Sequence, residues 1–181
     1  MRPPISWLLA ILLALSGGCS DGGDRRERLV SESRDAVARF DAPVLSVDEL
    51  RRMEQQDDGI LLVDTRADAE FAVSHLPGAI HWDPYENPEA VPEEVADALR
   101  AGRPAVFYCS IGYRSGHGAD LAREALRARG TDVPATACLN LEGGIFEWAE
   151  QGGALEGGTL VHPYDARWGR LLRPDLRAPI D

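Results

Sequence analysis

Between residues 44 and 151 the chain switches repeatedly between short apolar runs and longer stretches with helical spacing. Val44-Leu45 is short and extended, and Ser46 stands as an N-cap before a helix over 47–53. Gly59 breaks the chain. Ile60-Leu61-Leu62-Val63 is then a continuous apolar run, the kind buried on both faces of a parallel sheet. Residues 67–75 show a helical pattern with Phe71 and Leu76 turned inward, and Pro77-Gly78 leads into a third strand over 79–82. Prolines at 84, 88 and 92 mark a loop, and a helix follows over 95–99. A fourth strand over 104–108 precedes a long helix over 115–129, and a fifth strand over 137–141 ends before Gly143-Gly144 and a last helix over 146–151. Strands alternating with helices predict an α/β fold, a mostly parallel sheet with helices on both faces. Sites in such sheets form at the carboxyl ends of the strands. Asp64, Cys109 and Gly143 all fall at those ends.

The two termini have a different texture. Residues 1–18 combine Arg2 with an apolar core over Ile5–Leu15, about eleven residues, against the roughly 20 of a spanning helix. Ser16-Gly17-Gly18-Cys19 resembles the lipobox of bacterial lipoproteins, with Ser16 where leucine is usual. It implies a signal peptide over 1–18, lipidation of Cys19 and an extracytoplasmic chain anchored to the membrane. Ser20 after the cysteine leans toward the outer membrane. The alternative is an ordinary secretory signal that leaves Cys19 a free thiol. Residues 19–41 hold few large apolar side chains and read as a tether. Residues 154–181 carry Tyr164, Trp168, Leu171 and Leu172, too apolar for a solvated tail. They are expected to pack along the side of the domain over 42–153, with a short helix over 166–172; a partner-binding segment is the alternative.

Charge narrows the partners. A net charge of −11 makes nucleic acid a poor partner, and any anion site must be a local exception to that field. The four histidines are scattered and show no ligand spacing, so no metal or cofactor is expected, and the default state is a monomer. Cys138 lies too far before the Gly143-Gly144 turn to meet Cys109 and reads as core.

The chemistry gathers at Cys109-Ser110-Ile111-Gly112-Tyr113-Arg114-Ser115, where an apolar strand ends. A thiol with the ordinary pKa is only about 3% ionised at neutral pH. Backbone N–H groups aimed into a tight loop and a following helix N-terminus both favour the thiolate. Ser110 and Ile111 supply N–H donors, Gly112 permits an unusual backbone angle, Arg114 adds a fixed cation and Ser115 stands as an N-cap. A buried core cysteine beside an ordinary turn is the plain alternative.

This loop resembles the C-x-x-G-x-R-S active-site loop of the rhodanese family. Leu62-Val63-Asp64-Thr65-Arg66, Glu70-Phe71 and His75-Leu76-Pro77-Gly78-Ala79-Ile80 resemble that family's early signature, with Ser74 where glycine is commoner. Leu141-Glu142-Gly143-Gly144-Ile145 with Trp148 resembles its closing turn. The resemblance implies a rhodanese-like five-stranded sheet whose fourth strand leads into the cysteine loop. It also implies sulfur transfer: Cys109 takes the sulfane sulfur of a small anionic donor such as thiosulfate, holds a persulfide, and passes the sulfur to a thiol or cyanide. Arg114 either steadies the donor or pairs with a carboxylate that braces the loop. Asp64 and Arg66 tie the second strand to its helix, with substrate contact as the alternative; Tyr113 lines the mouth, and His117 is a partly exposed polar residue rather than a base. Phosphatases and arsenate reductases of related architecture are the rival reading, but they place five residues between cysteine and arginine. Here there are four, Ser110 to Tyr113. A sulfur carrier or binding module without turnover is the third.

Overall fold

The computed structural model describes residues 20–56 and 59–180. The segment read as a signal peptide and Cys19 lie outside the described residues. Five parallel strands, β1 (Val44–Leu45), β2 (Leu61–Asp64), β3 (Ile80–His81), β4 (Ala105–Tyr108) and β5 (Cys138–Leu141), form one sheet in the order β1-β5-β4-β2-β3. Among the described residues, six α-helices accompany them: α1 (Ser20–Val37), α2 (Val47–Gln55), α3 (Asp68–Val73), α4 (Glu93–Arg100), α5 (Tyr113–Ala128) and α6 (Gly144–Glu150). Ser46 does cap α2: its hydroxyl accepts from the Glu49 N–H while the Glu49 carboxylate accepts from the Ser46 N–H.

Strand alternation divides the core in two. Leu62, Val106, Tyr108 and Leu141 face one layer with α2, α6 and the C-terminal segment. Val63, Ala105, Phe107 and Cys138 face the other, with α4 and α5. Successive side chains of a strand point to opposite faces, so the unbroken apolar run of β4 supplies both cores at once. That makes β4 the central strand, and its carboxyl end the natural place for a loop held from both sides.

The segment read as a tether is instead a docked helix. Leu29, Ser33 and Val37 recur every fourth residue on α1, lie on one face, and are buried. Three arginines of the same helix reach acidic groups near α6: Arg26 to Glu147 at 2.8 Å, Arg34 to Glu142 at 2.8 Å, and Arg25 to Glu150. Alone, one narrow stripe cannot hold a helix of this composition. Packed on a finished domain, it adds to an existing core.

The C-terminal segment also departs from the expected helix over 166–172. It is a strap with two 3₁₀ turns, Trp168–Leu171 and Pro174–Leu176. Pro163 and Pro174 bound the segment on either side, and Gly169 inside it is a poor helix former. The strap is fastened along its length. His75 and Glu156 exchange backbone hydrogen bonds, the Ser74 hydroxyl donates to the Leu160 carbonyl at 2.7 Å, and Val161 bonds both Leu176 and Ala178. Val161 and Leu172 are fully buried.

Candidate active site

Cys109 is the first residue beyond β4, and the loop it opens is held by its carbonyls. The Cys109 carbonyl accepts from the Ile145 N–H at 2.9 Å and the Ser110 carbonyl from the Phe146 N–H at 3.3 Å, both at the start of α6. With those oxygens turned outward, the N–H groups that follow turn toward the sulfur. Gly112 N–H donates to Cys109 Sγ at 3.1 Å. Gly112 has φ 109°, and a Cβ there would stand 2.8 Å from Val37 of α1, so the position demands glycine on both counts. Gly112, not Ser115, is the cap of α5, which begins two residues earlier than the sequence suggests. The hydroxyl of Ser115 donates instead to the side-chain carbonyl of Asn140 at 2.7 Å, while the Asn140 amide donates to the Gly112 carbonyl at 2.9 Å. Asn140, fully buried on β5, thus pins the loop to the sheet.

Arg114 is engaged by a carboxylate. Its guanidinium forks onto Glu70 at 2.5 and 2.8 Å and donates to the Ser110 hydroxyl at 3.1 Å, and that hydroxyl also meets Glu70 at 3.2 Å. Glu70 is buried at the start of α3, where it also accepts from the Ala67 N–H. Burial alone would push its carboxyl up, but the Arg114 hydrogen bonds and charge outweigh that and hold it below the ordinary carboxylate value. Bracing of the loop is therefore what the Arg114 geometry displays.

Asp64 and Arg66 form a fully buried pair one layer away. Arg66 Nη2 donates to Asp64 at 2.7 Å and to the Ser74 carbonyl at 2.5 Å, joining the end of β2 to the turn after α3. Neither residue lines the pocket over Cys109.

That pocket has a volume of about 130 Å³. It is lined by Cys109, Ser110, Ile111, Tyr113 and Arg114 of the loop and by Tyr164 and Trp168 of the strap. The strap thus also reaches the mouth of this pocket. The Arg114 guanidinium carbon stands 4.9 Å from the centre of the Tyr164 ring. His117 lies farther out, 5.2 Å from the Tyr85 ring and 6.3 Å from Phe40.

Two cysteines of the same core behave oppositely. Burial raises the Cys109 thiol, yet the charge of Arg114 and hydrogen bonds from Ser115 and Ile111 outweigh it, and the net shift is downward. Cys138 has burial without such donors and is pushed up to about 11. Alkylation by iodoacetamide should therefore modify Cys109, with a rate reaching half its plateau below the ordinary thiol value of 9.0. A midpoint at or above that value would mean the loop does not favour the thiolate.

Of the residues assembled here, Glu70 was visible only as part of a motif. Asn140 carried a signal, a polar side chain inside the apolar run Cys138–Leu141. Tyr164 and Trp168 stand out in the sequence as apolar residues of the tail, but nothing local places them at this pocket.

With this geometry in hand, comparison with known proteins is direct. Residues 46–151 match the rhodanese-like domain, and the chain belongs to that family. It is 34% identical over 145 residues to the tRNA uridine(34) hydroxylase of Variovorax paradoxus, covering 76% of this chain and 51% of that protein. It is 31% identical over 104 residues to an uncharacterized protein of Synechocystis, covering 57% of this chain and 50% of that one. The chain thus spans about half the length of these curated relatives. The solution structure of a rhodanese-like domain from Anabaena superposes with a TM-score of 0.50 at 21% identity, over 64% of this chain and 79% of that domain, and shares the fold.

Proposed function

We propose that this protein is a sulfurtransferase that carries sulfane sulfur on Cys109. One observation bears most of the weight: the Cys109 sulfur sits in a closed loop at the end of the central strand, accepts the Gly112 N–H, and has its thiol shifted toward the ionised form. The thiolate attacks the sulfane sulfur of a donor. A bond forms between Cys109 Sγ and that sulfur, the bond to the rest of the donor breaks, and its electron pair leaves with the leaving group, sulfite in the case of thiosulfate. The Cys109 persulfide then gives its terminal sulfur to a thiol or cyanide, and the Cys109 thiolate returns. The loop N–H groups stabilise negative charge at Sγ and at the added sulfur without moving.

Two features favour this over phosphatase or arsenate-reductase chemistry. Four residues between Cys109 and Arg114 close a tight ring, suited to one added sulfur atom. The Arg114 fork, which a bound oxyanion would need, is already filled by Glu70. A tRNA substrate, suggested by the name of the Variovorax relative, fits poorly with a net charge of −11.

Steady-state rates with thiosulfate and cyanide varied together should give parallel double-reciprocal lines, and Cys109→Ser should show no turnover. Intersecting lines, or activity in the variant, would contradict a persulfide on Cys109.

The proposal extends to location. The amino-terminal pattern ending at Cys19 supports a lipid-anchored, extracytoplasmic protein. Expressed in a bacterium, the chain should sediment with membranes, and Cys19→Ser should move it to the soluble fraction. Unchanged sedimentation of the variant would refute the anchor.

A further inference from the structure

The strap places two aromatic rings on a pocket that otherwise belongs to the cysteine loop, and nothing in the sulfur-transfer step itself requires them. Tyr164 is held unusually. Its φ of 65° makes it the one non-glycine residue with positive φ among the described residues, a conformation that L side chains rarely adopt. The neighbouring chain maintains it: Tyr164 N–H donates to His162 Nδ1 at 3.1 Å, and the Asp165 side chain accepts the N–H groups of Arg167 and Trp168 at 2.8 Å each. Buried Val161 before it and buried Leu172 after it fix both ends of the turn.

The result is a small, mainly apolar space with little charge to offer a ligand. Arg114 is the one cation lining it, and its guanidinium is already shared among Glu70, Ser110 and the Tyr164 ring. Arg39 and Arg167 stack on Tyr113 and Trp168 but do not line the pocket. A volume of about 130 Å³ is close to that of an apolar cavity that holds a single benzene, roughly 150 Å³. A compact dianion such as thiosulfate would use neither the aromatic walls nor the volume.

We infer that the strap makes this site selective for sulfane-sulfur donors whose leaving group carries one apolar substituent the size of a benzene ring, with Tyr164 and Trp168 as the specificity-determining residues. This rests on the sulfur-carrier reading given above. For an organic thiosulfonate, the Cys109 thiolate attacks the terminal sulfur, the bond between that sulfur and the sulfonyl sulfur breaks, and the sulfinate leaves with the electron pair. Charge balances without a proton or an external reductant. An organic hydropersulfide reacts in the same sense, its thiolate leaving and taking up the proton.

The test compares benzenethiosulfonate, methanethiosulfonate and thiosulfate as donors to the full chain, with cyanide as acceptor. The first two share charge and reactive group and differ only in the substituent. Burial of the ring should give benzenethiosulfonate a kcat/KM about tenfold or more above methanethiosulfonate. That ratio should collapse in Tyr164→Ala and in Trp168→Ala and persist in Tyr164→Phe. Wild-type protein alone gives a second readout: benzenesulfinate should inhibit competitively at a concentration at least about tenfold lower than methanesulfinate. If all three donors load Cys109 with ratios near one, or the alanine variants keep the preference, the inference on specificity is overturned while the sulfur-carrier reading stands. If no donor loads Cys109, both fall.

Discussion

Replacing Glu70 with alanine is expected to lower the stability of the protein by about 3–5 kcal/mol, a fall of about 10 °C in Tm. The reason is what remains behind. Arg114 keeps only 16% of its side chain exposed, and Glu70 only 4%. Without the carboxylate, a nearly buried guanidinium loses both arms of its fork, and the Ser110 hydroxyl loses a partner as well. Glu70→Gln restores one acceptor but not the charge, so it should recover only part of the loss. The pair also has a pH signature. The Glu70 carboxyl lies below its ordinary value of 4.5 in the folded protein. Its contribution is therefore complete above that value and disappears as pH falls through the lower, folded value. Thermal melts at pH 7 and at pH well below 4.5 should show the wild type losing this stabilisation and the alanine variant having none to lose. Equal melting temperatures at pH 7 would mean that Arg114 finds other partners.

The second large effect is expected at Gly144. Its φ is 53°, and a Cβ there would stand 2.1 Å from the Cys109 carbonyl oxygen and 2.8 Å from that of Ser110. Both contacts are with backbone, so no side chain can swing away to relieve them. Gly144→Ala should cost about 2–5 kcal/mol, from the left-handed angle and the overpacking together. It should also carry a functional cost, separate from the loss of stability. The displaced carbonyl is the one that Ile145 holds, and the direction of the loop N–H groups depends on it. A shift of about 1 Å at a reacting group costs on the order of 100-fold in rate. The rate of Cys109 alkylation by iodoacetamide, measured on protein shown to be folded, should fall accordingly. An unchanged rate would mean that α6 does not position the loop.

How much of this could be read from the sequence depends on the range of the contact. The five strands and the cysteine at the end of β4 follow from patterns a few residues long: the apolar run of β2, the turn at Pro77-Gly78, the glycine pair after β5. The N-terminus of α5 was misplaced because Ser115 looks like a cap, whereas the left-handed Gly112 closes the loop earlier and frees the hydroxyl for Asn140. Longer-range contacts were less legible. Residues 20–37 lack the apolar content of an independent helix, and Arg25, Arg26 and Arg34 meet Glu150, Glu147 and Glu142 only once the domain has arrayed those carboxylates beside them. Tyr164 reaches Arg114 across 50 positions through a strap whose path is set by backbone hydrogen bonds to His75 and by the Ser74 hydroxyl. No local periodicity records such a path.

The same contacts give the two extensions a shared role. Ser33 of α1 accepts the Gly143 N–H at 2.8 Å, and Val37 packs against Gly112. Arg25 of α1 and Arg173 of the strap both meet Glu150 of α6. The helix that holds the carbonyls of the cysteine loop is thus itself held from both ends of the chain. Rigid support of this kind is what a preorganised anion loop requires, because donors that must first reorient contribute little at the moment of reaction.

The most direct measurement is the intact mass of the full chain after incubation with benzenethiosulfonate or thiosulfate, beside Cys109→Ser treated in the same way. The expected result is a gain of one sulfur atom on the original protein alone, lost again on addition of cyanide. A reduced and accessible Cys109 that gains no mass from either donor, or a gain that persists in the serine variant, would contradict sulfur carriage by Cys109.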